Sequence, residues 1–245
     1  MTRPIADVGE AGDRHGLELD LSGRIDFVRR MTSLQRAPLV PEMVLNLADQ
    51  PHKIFKITEE LTSPPGAHLP PFWAFAWPGG QGLARHLLDN PTRVHGKRVI
   101  DIGAGSGIAA IAAVMSGATD VLAVDIDALA ETAIGLNAAE NDVHVRTTTA
   151  DVLAQPPDAD LVLIGDLVYE PELAGRVAAF LEAVVMTGAA VLLGDRISAR
   201  RPPMSFELVA EYEAPVIPEL IDDSTERARV WRLVRRPKAT RGRRL

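Results

Sequence analysis

The sequence predicts an α/β chain, with a twisted seven-stranded sheet that is mostly parallel, a C-terminal antiparallel hairpin and a helical N-terminal extension. Three observations predict it. Arg98 to Asp127 reads as strand, glycine loop, helix, strand. Apolar runs of strand length recur downstream, at 160–165 and 189–193, with Ala-rich helical stretches around them. Two strand-like segments, Phe206 to Tyr212 and Arg229 to Val234, close the chain as an antiparallel pair. Strand runs alternating with helices make a parallel sheet covered on both faces.

The stretch from Arg98 organises the rest. Val99, Ile100 and Ile102 suit a buried parallel strand. Gly103-Ala104-Gly105-Ser106-Gly107 then lets the backbone turn tightly and approach a ligand closely. Ile108 to Met115 is apolar and Ala-rich, which favours helix, and Gly117 is placed to end it. Val121 to Val124 makes the second strand, followed by Asp125 and Asp127. This Rossmann-like unit presents helix N–H groups in a crevice at the strand ends. An acidic residue about 20 positions beyond the loop accepts hydrogen bonds from ribose hydroxyls, and Asp125 sits there. A dinucleotide fingerprint needs a third glycine where Ile108 stands, so the loop is D-x-G-x-G-x-G instead, led by Asp101.

Composition bounds the classes. The chain has 245 residues, a 47% hydrophobic content and a formal charge of −7. That length suits one α/β domain with additions, and the acidic balance argues against a general nucleic-acid binder. With no cysteine there is no disulfide, thiolate nucleophile or cysteine metal site. His68, His86 and His95 show no ligand spacing, so no metal is expected. No serine lies in a G-x-S-x-G elbow, which leaves a hydrolase without support. The opening MTRPIADVGEAGDRHG lacks the apolar core of a signal peptide, and no run approaches about 18 apolar residues. A soluble, cytoplasmic protein is the expectation. The expected divisions are an N-terminal extension with an aromatic segment at 1–95, a cofactor-binding domain at 96–236 and a basic tail at 237–245.

In order, residues 1–17 read as a frayed terminus. Ser22 is placed to cap a helix running through Ile25, Phe27, Val28, Met31 and Leu34. Val40 to Ala48 is a short element, and Ile54, Phe55 and Ile57 suit a strand. Leu69 to Asn90 concentrates Phe72, Trp73, Phe75 and Trp77 in a chain only 4% aromatic. Pro78-Gly79-Gly80 breaks that run, and Gln81 to Leu88 reads as an amphipathic helix. The segment is either a hydrophobic anchor on the sheet or a ligand wall, with Trp77 and the Pro-Gly-Gly turn at the cofactor and Phe72 and Trp73 facing substrate. Ala128 to Ala139 is helical, Val143 to Thr149 alternates like a strand, and Asp151 follows it. Asp160 to Gly165 is a further strand delivering Asp166-Leu167-Val168-Tyr169 to the sheet's carboxyl edge, where open α/β sheets bind ligands. Asp166 has two readings, a site residue or the cap of a helix beginning near Glu170.

The loop led by Asp101 resembles the first motif of class I S-adenosylmethionine-dependent methyltransferases. Joined with FWAFAWPGGQGLARHLLDNP at 72–91 and GDLVYEPELA at 165–174, it resembles the seven-β-strand protein lysine methyltransferases, and most closely those acting on the electron transfer flavoprotein beta subunit. The resemblance implies S-adenosylmethionine as cofactor, held by Trp77, Asp101, Gly103, Gly105, Gly107, Asp125, Ile126 and Asp151, with Asp151 on the adenine amino group. It implies Asp166 and Tyr169 at the reacting amine, and a protein substrate with an exposed lysine. The acid in Gly-Asp-Leu-Val-Tyr is not followed by Pro-Pro, which turns the reading away from adenine or glutamine methylation. A small-molecule N-methyltransferase acting on a nicotinamide-like amine, a ribosomal-protein lysine methyltransferase and a non-catalytic binding module are the competing readings.

Overall fold

The computed structural model describes residues 19–61, 69–155, 158–167, 171–196, 204–215 and 225–234. The expected frayed terminus at 1–17, the candidate Tyr169 and the tail at 237–245 lie outside them.

Helix α1 (Leu21–Met31) is capped by Asp20, whose carboxylate accepts from the Gly23 N–H at 2.8 Å. The expected cap, Ser22, lies inside the first turn instead. Thr32 is extended (φ −131°), so α1 stops and Leu34 falls in strand β1 (Ser33–Ala37). This strand pairs antiparallel with β2 (Val40–Leu47), Ser33 opposite Leu47. The extension therefore carries a hairpin as well as helices. The expected strand at Ile54 to Ile57 is helix α2 (Pro51–Leu61). Its buried positions are Pro51, Ile54 and Thr58, spaced i, i+3 and i+7, which is a helical stripe and not an alternating one. Pro51 is its first residue, where a missing N–H costs nothing.

Helix α3 (Pro78–Asp89) begins with the Pro-Gly-Gly sequence, which is its first turn and not a separate turn ahead of it; Trp77 is the N-cap. The three glycines of α3, Gly79, Gly80 and Gly82, cost about 1 kcal/mol each relative to alanine. Leu83 and Leu87 of the same helix are fully buried, and each such side chain stabilises by about 1.5–3 kcal/mol. Burial therefore outweighs propensity, and α3 lies flat on the sheet.

The remaining elements follow the expected order: β3 (Arg98–Ile102), α4 (Ile108–Met115), β4 (Asp120–Val124), α5 (Ala128–Glu140), β5 (Arg146–Thr148), β6 (Leu161–Gly165), α6 (Pro171–Thr187), β7 (Ala190–Arg196), β8 (Phe206–Pro215) and β9 (Thr225–Leu233). Strand β5 is shorter than expected, because Val143 and Val145 precede it. The seven-stranded sheet has the order β5-β4-β3-β6-β7-β9-β8, parallel from β5 to β7, with β9 antiparallel to both neighbours. Val99, Val121 and Leu163 bury one face with α3 and α4, while Ile100, Leu122 and Val162 bury the other with Val177, Phe180 and Val184 of α6. A third cluster joins Phe27, Val28, Ile54, Trp73 and Phe75 to Leu129 and Ala133 of α5, which fixes the N-terminal extension beside the glycine loop. At the amino edge, Arg98 pairs with Asp158 (2.7 Å) and Asp160 (2.9 Å), tying β3 to the start of β6 away from the crevice.

Candidate active site at the carboxyl edge of the sheet

The loop after β3 holds Gly103, Gly105 and Gly107 at φ +68°, +52° and +78°. Side chains rarely adopt this left-handed region, which is why glycine stands at each of these positions. The loop is pinned from β4: Asp125 accepts from the Gly105 N–H at 2.8 Å through one oxygen and from the Asp127 N–H at 3.1 Å through the other. Asp127 caps α5, accepting from the Leu129 N–H at 2.8 Å. Ile126, between them, is 54% exposed. Asp101 is buried beneath α4 and accepts from the Ala110 N–H at 3.1 Å.

The aromatic segment forms the opposite wall. Residues Phe72–Ala74 make a single 3₁₀ turn, and a Cβ built at Gly105 would lie 3.7 Å from the Trp73 Cα. Phe72 and Trp77 are half-buried and meet edge to face at 5.8 Å, while the Trp77 indole N–H donates to the Phe72 carbonyl at 2.9 Å. Trp73 is 1% exposed, so it supports this wall from inside.

Asp166, just past β6, has φ +48°. Aspartate is among the few residues that tolerate this conformation. It directs the carboxylate at the first turn of α3, where it accepts from the Gly80 N–H at 3.0 Å. Asp166 thus caps the first turn of α3, a helix far from it in sequence. The fit requires glycines on both sides: a Cβ at Gly79 would lie 2.6 Å from the Asp166 Oδ2, and a Cβ at Gly165 would lie 3.2 Å from the Gly80 Cα. Gly165 and Gly194 escaped the sequence reading, because nothing local marks a strand glycine as the floor under a distant helix. Asp151 accepts from the Leu153 N–H at 3.2 Å and pairs with Arg176 of α6 at 2.5 Å; Arg176 was also not foreseen. The structure therefore gathers Gly103, Gly105, Gly107, Asp125, Phe72, Trp73 and Trp77 around one loop, and sets Asp166 against α3.

Burial pushes the Asp101, Asp127 and Asp166 carboxyls up to about 7 from an ordinary 3.8, although backbone N–H groups oppose it in each case. Burial raises Asp125 as well. A folded-state value above the unfolded one means that the folded chain keeps the proton longer. Stability contributed this way is full below about pH 4 and is lost as pH rises towards 7. His86, lowered by burial, acts in the opposite direction but is one group against four. The protein without ligand should therefore melt at a lower temperature at pH 7 than at pH 5, as differential scanning calorimetry will measure.

These residues fit S-adenosylmethionine. Glycines leave the loop face clear, carboxylates around it suit hydroxyls and a cationic sulfonium, and the exposed Ile126 offers an apolar face. A pyrophosphate at the loop would meet the Asp125 carboxylate, which holds the Gly105 N–H. The model of the ribosomal protein L11 methyltransferase family matches residues 84–182. Electron transfer flavoprotein beta subunit lysine methyltransferases are similar over most of the chain. The one from Xenopus laevis is 37% identical over 203 residues, 82% of this chain and 80% of its own length. The one from Rattus norvegicus is 33% identical over 88% of this chain and 85% of its own length. This chain belongs to that methyltransferase family. Its cofactor is S-adenosylmethionine. A 16S rRNA methyltransferase from T. Thermophilus shares the fold, with a TM-score of 0.53 at 15% identity over 84% of this chain and 50% of that one. No helix among the described residues of this methyltransferase is long and apolar enough to cross a membrane.

Proposed function

We propose that this methyltransferase modifies lysine side chains of an electron transfer flavoprotein beta subunit, in the cytoplasm. The observation that carries the reading is Asp166, a carboxylate held in a left-handed backbone at the carboxyl edge of the sheet, in a chain 37% identical to a relative of that name. The acidic balance of −7 favours a protein over a nucleic-acid substrate.

S-adenosylmethionine, when bound, supplies a methyl group on a sulfonium sulfur. The chain's residues supply position. Gly103, Gly105 and Gly107 give the close approach. Asp125 takes the ribose hydroxyls with lone pairs not used by Gly105 and Asp127, Ile126 packs on the adenine, and Asp151 takes its amino group. Asp101 places a carboxyl beneath the loop, and Trp77 closes the side towards α3. Phe72, over the supporting Trp73, faces the incoming lysine. A free lysine has a pKa of about 10.4, so well under 1% of it is neutral at pH 7. Leaving water lowers that value. Asp166 binds and orients the ammonium, and its carboxyl, at about 7, is matched to take up a proton near neutrality. Tyr169 is assigned from the sequence as its partner at the amine.

Asp125→Ala should weaken cofactor binding by about thirtyfold by titration calorimetry, since it removes both the ribose acceptor and the pin on Gly105, each worth about 1 kcal/mol. The function itself is tested by incubating the purified chain and radiolabelled S-adenosylmethionine with electron transfer flavoprotein, ribosomal protein L11 or nicotinamide. Label on a lysine of the flavoprotein beta subunit supports the proposal. Label only on L11 favours the second reading, to which the L11 methyltransferase match at 84–182 points, and label only on nicotinamide overturns a protein substrate.

A further inference from the structure

A buried amide links the N-terminal hairpin to the glycine loop. Asn137, on α5, is 0% exposed. Its Oδ1 accepts from the Asn46 backbone N–H at 2.7 Å and from the Asn46 side-chain amide at 2.9 Å. Its Nδ2 donates to the Ser106 carbonyl at 2.8 Å. That carbonyl needs an outside donor, because the N–H four residues on, Ala110, donates to Asp101. One side chain thus satisfies both β2 and the turn between Gly105 and Gly107, and a buried polar group left without its partner is destabilising. One turn further along α5, Asn141 holds the same strand: it accepts from the Val44 N–H at 2.9 Å and donates to the Val44 carbonyl at 2.7 Å. It makes no bond to the loop.

We propose that Asn137 is a positioning residue for methyl transfer: it fixes the Ser106 carbonyl, and through it the glycine loop, against the N-terminal hairpin, and so sets cofactor affinity. The inference rests on the reading of that loop as the cofactor cradle. Groups that orient a metal ligand typically change affinity or activity about 10- to 100-fold when removed, and Asn137 stands in the same indirect relation to the cofactor. The Asn141 contact supplies the control, since it anchors the same hairpin to the same helix.

The test compares Asn137→Ala and Asn141→Ala in the full chain, by titration calorimetry with S-adenosylmethionine and by thermal melting without it. Both variants should melt at lower temperature. Asn137→Ala should raise the cofactor Kd about tenfold and raise KM for cofactor with kcat little changed, whereas Asn141→Ala should leave Kd within about twofold. Equal Kd values in the two variants would reduce Asn137 to a hairpin anchor and overturn the proposal. Should Asn137→Ala fail to fold, Asn137→Ser, which leaves a smaller void and still cannot span from Asn46 to Ser106, takes its place with the same outcomes. Failure of the unsubstituted protein to bind the cofactor would instead sink the cradle reading, and so separates the two.

Discussion

Asp166→Asn is expected to lower methyl transfer about 10²- to 10³-fold while leaving the cofactor Kd within about threefold. The size follows from losing both the charge that holds the ammonium and a proton acceptor, for which general-base removal alone typically costs about 10²–10⁴-fold. Asparagine isolates that loss. It tolerates the left-handed conformation at φ +48°, and its side-chain oxygen still accepts from the Gly80 N–H, so α3 keeps its cap. Asp166→Ala would also lose activity, but it adds the loss of a cap, about 1 kcal/mol, and left-handed strain of about 1–2 kcal/mol. The pH profile gives a second readout. With the Asp166 carboxyl at about 7, the charged form accumulates above neutrality, so activity of the unsubstituted protein should rise through pH 7. Lysine deprotonation also raises activity with pH, but over a higher range, and it persists in the variant. The expected signature is loss of the inflection near pH 7 with the alkaline rise kept. Single-turnover rates at saturating cofactor measure both. A variant within a few-fold of normal at every pH would remove Asp166 from the chemistry.

The parts of this fold that could be read from sequence are those whose signals are local. The β3–loop–α4–β4 unit announces itself because three glycines and two apolar strands lie within thirty residues, and each glycine does sit at positive φ. The hairpin β8–β9 was visible for the same reason. Errors fell where a distant element decides the outcome. Ile54, Phe55 and Ile57 carry strand propensity, yet only Ile54 of the three is buried, and it shares its stripe with Thr58; the third core cluster, assembled from four separate segments, selects helix. Pro78-Gly79-Gly80 reads as a turn until the sheet beneath is known. Asp166 was placed correctly at the strand end, but its hydrogen-bond partner lies 86 residues upstream. Asn137 sat unremarked in an Ala-rich helix, because the hairpin it serves is about ninety residues away.

Gly194→Ala is expected to be the most damaging single methyl in the described chain, destabilising by about 3 kcal/mol or more and removing activity with it. A Cβ there would fall on the Gly79 carbonyl oxygen, closer than real Cβ atoms approach, and 2.7 Å from the Leu83 Cγ. Overpacking a core typically costs about 1–3 kcal/mol when side chains can yield. Here the first obstacle is backbone, so relief requires moving the start of α3 away from β7. That displacement reaches the site, since the Asp166 N–H donates to the Gly194 carbonyl at 3.0 Å and its carboxylate caps the displaced turn. The favourable term, reduced freedom of the unfolded chain, is only about 0.4–1 kcal/mol, so packing decides the sign. The opposite sign is expected at Gly135 and Gly175, both exposed within helices, where an added Cβ meets nothing within 4 Å; Gly135→Ala and Gly175→Ala should each stabilise by about 0.5–1 kcal/mol. Urea unfolding of the three variants measures the contrast. If Gly194→Ala unfolded at the same urea concentration as the parent, the glycine-on-glycine seat of α3, and with it the placement of Asp166, would be wrong.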